Sequence, residues 1–219
     1  MAPFVALFDL DGTLVDSQVG ILAGFRRALR AVGHDVEESA IRHWIGPPLE
    51  QSLLELGVSP TEIPTAITAY RAYYTGAGVY ECAPFDGIEA MLSALRDGGV
   101  VLAVATAKLV DFARTILEHL AFAPYFSAVA GAGQNGLVDK SVIVGDALEL
   151  LGFPDPQRTV LVGDRRHDVA AARAHEIPAI GATWGYGGED ELRAAGATHL
   201  VRSPAELATL VLTELAPTH

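Results

Sequence analysis

The chain has 219 residues, half of them hydrophobic, enough for one sizeable core and a small appendage. Its formal net charge of −12 repels nucleic acid and anionic membranes, which excludes both as expected partners. A single cysteine, Cys82, leaves no intramolecular disulfide and fits a reducing compartment.

The first element is an apolar run, Phe4-Val5-Ala6-Leu7-Phe8, which reads as a strand buried on both faces. It leads straight into Asp9-Leu10-Asp11-Gly12-Thr13-Leu14, with Gly12 free to turn the backbone away. Ligands of open α/β sheets bind at the carboxyl ends of strands. Two acids there need a reason, because unpaired buried carboxylates are costly. A bound divalent cation is one, and a division of labour between attack and proton transfer is another.

Residues 15 to about 80 read as helices, with no strand pattern among them. Val19-Ile21-Leu22-Phe25-Leu29-Val32 follows helical spacing and Gly33 closes it. A short helix is predicted over Glu37 to Trp44, and Gly46-Pro47-Pro48 breaks the chain. Leu49 to Leu56 resumes a helix that Gly57 ends, and Ile63 to Tyr74 forms another. Gly76-Ala77-Gly78 reads as a linker. Hinge motion is expected near Val15 to Ser17 and Gly76 to Cys82, with Cys82 itself a small core or hinge residue.

From Ala83 onward strands and helices alternate. Helix Ile88 to Arg96 precedes strand Val100 to Ala105, and helix Val110 to Leu120 precedes a strand near Phe126 to Ala130. Helix Ser141 to Leu151 precedes strand Thr159 to Val162, and helix Asp168 to His175 precedes strand Ala179 to Gly181. A last strand near His199 to Val201 leads to helix Pro204 to Leu215. This alternation predicts a parallel sheet covered on both faces, joined by the N-terminal strand. No apolar run is long enough to span a bilayer, and the N-terminus lacks a basic leader, so a cytoplasmic location is expected.

The chain uses arginine almost everywhere and lysine only at Lys108 and Lys140. Lysine is a compact point charge and arginine a planar fork, so a retained lysine marks a place that demands an ammonium. Lys140 opens a helix, where a cation opposes the dipole, and that anomaly strengthens its case. Lys108 is open between function and a plain helix start.

Asp9-Leu10-Asp11-Gly12-Thr13-Leu14, Thr106 after an apolar run, Lys140, and Gly163-Asp164-Arg165-Arg166-His167-Asp168 stand in that order. The set resembles the four motifs of the haloacid dehalogenase-like hydrolases across essentially the whole chain, nearest to their phosphoglycolate phosphatase-like branch. The resemblance implies an α/β, Rossmann-like three-layer core over residues 1–14 and 82–219. It implies a small helical cap over residues 15–81. It also implies Asp9 as nucleophile, Asp11 as general acid and base, and Thr106, Ala107 and Lys140 around the phosphoryl group. Asp9, Asp11 and Asp164 would hold Mg²⁺, with Asp168 behind them or bridged by water; a helix-start acid is the other reading of Asp168.

Arg165 and Arg166 depart from the usual Ser or Thr and read as solvated helix-start positions, with anion binding as the alternative. His167 lacks the partner spacing of a metal ligand. The Trp184-Gly185-Tyr186-Gly187-Gly188 stretch reads as an exposed turn or a border of the site, and Ile45-Gly46-Pro47-Pro48 as a stiff substrate-facing loop or a helix break.

Asp11 argues against dehalogenation. The absence of a lysine from residues 15–80 argues against Schiff-base chemistry, and Thr13 weakly disfavours a mutase. Phosphomonoester hydrolysis of a small phosphorylated metabolite remains, phosphoglycolate-like or 5′-nucleotidase-like. Transfer to an acceptor other than water, and a non-catalytic binding protein, are the further alternatives. Oligomeric state is not legible.

Overall fold

A computed structural model describes residues 2–37, 45–133 and 139–216. The helix predicted over Glu37 to Trp44 lies almost wholly outside them. Six parallel strands form the main sheet, in the order β5-β4-β1-β6-β7-β8. They are β1 Val5–Phe8, β4 Val101–Leu109, β5 Phe126–Ala132, β6 Thr159–Gly163, β7 Ala179–Ala182 and β8 His199–Val201.

Side chains of β1 alternate between two apolar layers. Val5 and Leu7 pack with α6 (Lys140–Leu150), α7 (Arg166–Ala174) and α8 (Gly188–Ala195). Ala6 and Phe8 face α4 (Ile88–Asp97), α5 (Val110–His119) and α9 (Pro204–Leu210). The result is a three-layer α/β core, with helices on both faces of the sheet as the alternation predicted.

The helices α1 (Gln18–Ala31), α2 (Leu49–Glu55) and α3 (Ile63–Gly76) lie between two short strands, β2 (Val15–Asp16) and β3 (Ala83–Pro84). These two strands pair antiparallel, so chain entry to the helical insertion lies against chain exit. Residues 15–80 were expected to hold no strand; β2 is only two residues long and carries no readable alternation. Gly76-Ala77-Gly78 is not an open linker either. Gly76 ends α3, and Gly78 opens a tight turn to Tyr80. A Cβ on Gly20 of α1 would stand 2.0 Å from the Gly78 carbonyl oxygen, so the small residues let backbone meet backbone.

Helix α8 was not expected from the sequence. Of its eight residues only Leu192 is buried, so no apolar periodicity announces it. Among the described residues no helix is long and apolar enough to cross a membrane.

Candidate active site

Strand register assembles the site. Phe8 aligns with Val104 of β4 and with Val162 of β6. Asp9, Thr106 and Asp164 therefore emerge together at the carboxyl edge of the sheet, next to the reversal of strand order at β1. The Asp9 N–H still donates to the Val162 carbonyl at 2.9 Å, which holds that carboxylate on the sheet.

The chain then turns at Gly12, whose φ is +86°. A Cβ there would stand 2.4 Å from Asp164 Oδ2, so only glycine fits. The next residue, Thr13, donates its hydroxyl to Asp164 Oδ1 at 3.2 Å. The Tyr186 N–H donates to Asp164 Oδ2 at 2.7 Å. Asp164 is thus fully buried and held from both sides.

Lys140 reaches across from the first turn of α6. The Asp139 carboxylate caps that helix by accepting from the Ser141 N–H at 2.8 Å. Lys140 Nζ lies 2.7 Å from Asp9 Oδ1 and 3.0 Å from Asp168 Oδ1. Burial works to lower the ammonium's pKa, but the Asp168 and Asp9 carboxylates outweigh it and hold the proton on.

Asp9, Asp164 and Asp168 each offer an oxygen within 4.8 Å of the others. Burial pushes Asp164 well above the usual carboxylate range, and Asp168 and Asp9 add to the push. Asp168 is also raised, first by burial, although Lys140 opposes it. With all three ionised, the carboxylates and the Lys140 ammonium sum to two negative charges, which one divalent cation would balance. The donor set is all oxygen, and so it suits Mg²⁺ better than a nitrogen- or sulfur-loving metal. The Asp11 carboxylate is not part of this cluster.

Asp11 points the other way, with Ser17 Oγ donating to Oδ1 and Lys108 Nζ lying 3.0 Å from Oδ2. Lys108 starts no helix. Pairing of β4 with β5 skips from Thr106↔Gly131 to Leu109↔Ala132, so Ala107 and Lys108 bulge from the ladder. Lys108 then lies buried and donates to Tyr74 Oη of α3 at 2.8 Å. Thr106 is buried, and its Oγ1 accepts from the Lys108 N–H.

A cavity between the sheet edge and the helical insertion has Asp9, Asp11, Thr106 and Ala107 on its floor. A second cleft on the other side of Asp9 is lined by Lys140, His167 and Asp168. Gly46, Pro47 and Pro48 line both, so this loop faces the site.

Arg165 is not a solvated helix-start residue. It is buried, donates to Glu191 Oε1 at 2.9 Å, and donates through Nη1 to the Ile45 carbonyl. A core residue thereby holds the loop of the insertion. The signal for it would have been Glu191, on the helix the sequence does not announce. His167 is half-buried with an unpartnered Nε2, and burial lowers its pKa. The 184–188 stretch borders the site: Trp184 Nε1 donates to the Thr13 carbonyl, and the Tyr186 hydroxyl accepts from the Ser17 N–H. Ser17, Tyr74 and Arg71 also reach the site without having been read from the sequence.

A family model described as haloacid dehalogenase-like hydrolase matches residues 6–182. The chain is 43% identical over 191 residues to the tyrosine-protein kinase PtkA of Mycobacterium tuberculosis, covering 86% of this chain. It spans only 65% of that relative's length. It is 38% identical to a 5′-nucleotidase of Pseudomonas aeruginosa, over 93% of this chain and 92% of the relative. It is 34% identical to a phosphoglycolate phosphatase of Agrobacterium fabrum, over 83% and 81%. A predicted phosphatase from Clostridium acetobutylicum has a solved structure that superposes with a TM-score of 0.92 at 38% identity. That likeness covers 97% of this chain and all of the other.

Proposed function

The chain belongs to the haloacid dehalogenase-like hydrolase family, and we propose that it is a Mg²⁺-dependent phosphatase of small phosphorylated metabolites. One observation carries this reading. Asp9, Lys140, Thr106 and Asp164 meet at one sheet edge, and Asp11 stands beside them with a separate set of partners. Residues 1–14 and 82–219 act as the catalytic core, and residues 15–81 as a cap over it.

Asp9 attacks phosphorus, and an aspartyl-phosphate forms as the ester oxygen leaves. Asp11 gives that oxygen a proton, then takes one from the water that cleaves the acyl-phosphate. Thr106 and the Ala107 N–H hold the phosphoryl oxygens, and Lys140 offsets their charge beside Asp9. Asp9, Asp164 and the Asp11 backbone would hold Mg²⁺, with Asp168 behind them. When bound, the ion neutralises charge between carboxylate and phosphoryl group.

The substrate reading rests on relatives named phosphoglycolate phosphatase and 5′-nucleotidase, and on the charged and aromatic lining of the cavity. A second reading, transfer of the phosphoryl group to a tyrosine, has in its favour the 43% identity to PtkA. Both use the same first step and differ in what accepts the group from Asp9.

Phosphate release from phosphoglycolate, nucleoside monophosphates, sugar phosphates and pyrophosphate, with Mg²⁺ and with EDTA, tests the reading. Mg²⁺-dependent release with one clear preference supports it. No release from any, with ³²P passing from the γ-position of a labelled nucleoside triphosphate to a tyrosine peptide and the diphosphate left behind, supports the second.

A further inference from the structure

Along α3, Ile67, Tyr70, Arg71 and Tyr74 follow the i, i+3, i+4, i+7 spacing of one helix face. All four line the cavity whose floor holds Asp9 and Asp11. Three of them build an apolar, aromatic wall with Phe25 and Phe112. The fourth is a guanidinium, half-buried, whose Nε is shielded from water and has no hydrogen-bond partner. Among the described residues nothing pairs with Arg71.

The cations buried among the described residues are committed elsewhere. Lys140 is taken by Asp9 and Asp168, Lys108 by Asp11 and Tyr74, and Arg165 by Glu191. A shielded Nε–H without a partner leaves one donor of the guanidinium unmet, and an anion in the cavity would satisfy it. Among the described residues Lys108 and Arg71 are the cations lining this cavity, and of these Arg71 is the one without a partner.

We propose that Arg71 anchors a carboxylate on the leaving group of the substrate, while the phosphoryl end sits at Asp9. This rests on the phosphatase reading and narrows it to carboxylate-bearing phosphomonoesters. A planar fork matches a carboxylate through two parallel N–H donors. A second phosphate is the poorer fit, because Glu50 lines the same cavity and one cation faces a dianion. Nucleosides, which carry no such anion, leave Arg71 unpaired.

The test uses two matched pairs of esters with Mg²⁺. They are phosphoglycolate against ethyl phosphate, and 4-carboxyphenyl phosphate against phenyl phosphate. The pairs place the carboxylate at different reach along the cavity. In at least one pair the wild-type kcat/KM favours the carboxylate by about tenfold or more, mainly through KM, as a charged hydrogen bond provides. Arg71→Gln removes that preference, and Arg71→Lys restores part of it. Equal kcat/KM within both pairs overturns the inference even if the variants fail to fold, and so does a preference that Arg71→Gln leaves intact. No release from any of the four esters, nor from the wider panel, overturns the phosphatase reading and this inference with it.

Discussion

Lys108 Nζ stands 3.0 Å from Asp11 Oδ2 and 2.8 Å from the Tyr74 hydroxyl, joining the sheet edge to the helical insertion through one ammonium. Tyr74 is itself buried, stacked on Tyr70 and edge-on to Phe112, so its position is set by packing. Asp11 is therefore aimed by a residue whose own partner lies outside the core sheet.

Lys108→Met unties Asp11 and removes the contact to Tyr74. A misplaced general acid matters most when the leaving oxygen is a poor one. The variant loses roughly tenfold or more in kcat on alkyl phosphates beyond its loss on p-nitrophenyl phosphate. Steady-state rates on the two ester classes check this, and equal losses would count against the positioning role.

Asp9→Asn and Asp11→Asn each lower turnover by about a thousandfold or more on alkyl phosphates, since one removes the proposed nucleophile and the other the proposed proton shuttle. Asp11→Asn retains more of the first step when the leaving group is good. Burst kinetics with p-nitrophenyl phosphate separate the two variants.

The proposed metal site predicts that Mg²⁺ raises the midpoint of thermal unfolding, because the Asp9, Asp164 and Asp168 cluster of the folded chain has no counterpart in the unfolded one. At a hundredfold excess over Kd the gain is about 2.7 kcal/mol. EDTA reverses it, and Asp164→Asn abolishes most of it. A midpoint indifferent to Mg²⁺ would contradict the metal assignment.

The family resemblance grouped Asp9, Thr106, Lys140 and Asp164 as expected site residues, and each stands next to a strand end or a helix start that hydrophobic periodicity marks. Lys108 and Arg165 were open for the opposite reason. Their roles depend on Tyr74, Glu191 and the Ile45 carbonyl, which lie 34, 26 and 120 residues away. Arg71 carried a usable signal, a charge on an otherwise apolar helix face. Helix α8 carried none, since Leu192 alone of its residues is buried.

Arg165→Ala frees the Ile45 carbonyl and leaves Glu191 with one partner fewer. Burial works to raise the Glu191 pKa, but donors from the Arg166 N–H and the Arg165 guanidinium hold it below its ordinary 4.5. A depressed folded value stabilises fully above the unfolded value and is lost as pH falls through the folded one. The stability advantage of the wild type over Arg165→Ala is therefore largest near pH 7 and shrinks as pH drops below about 4.5. Urea midpoints across that range check the slope.

Gly185→Ala disturbs the site without touching a charge. A Cβ there would stand 2.3 Å from both Asp164 Cβ and the Gly12 carbonyl oxygen. Overpacking of this kind costs about 1–3 kcal/mol, and here it also moves Asp164. Both the unfolding midpoint and the Mg²⁺-induced shift fall.

The central claim is that the phosphoryl group passes through Asp9. Rapid acid quench of the wild type and of Asp11→Asn during turnover of ³²P-labelled p-nitrophenyl phosphate, followed by peptide mapping, tests it directly. Label on the peptide containing Asp9, accumulating in Asp11→Asn and absent from Asp9→Asn, is the expected result. Phosphate release with no label on that peptide, or label that persists in Asp9→Asn, contradicts the account.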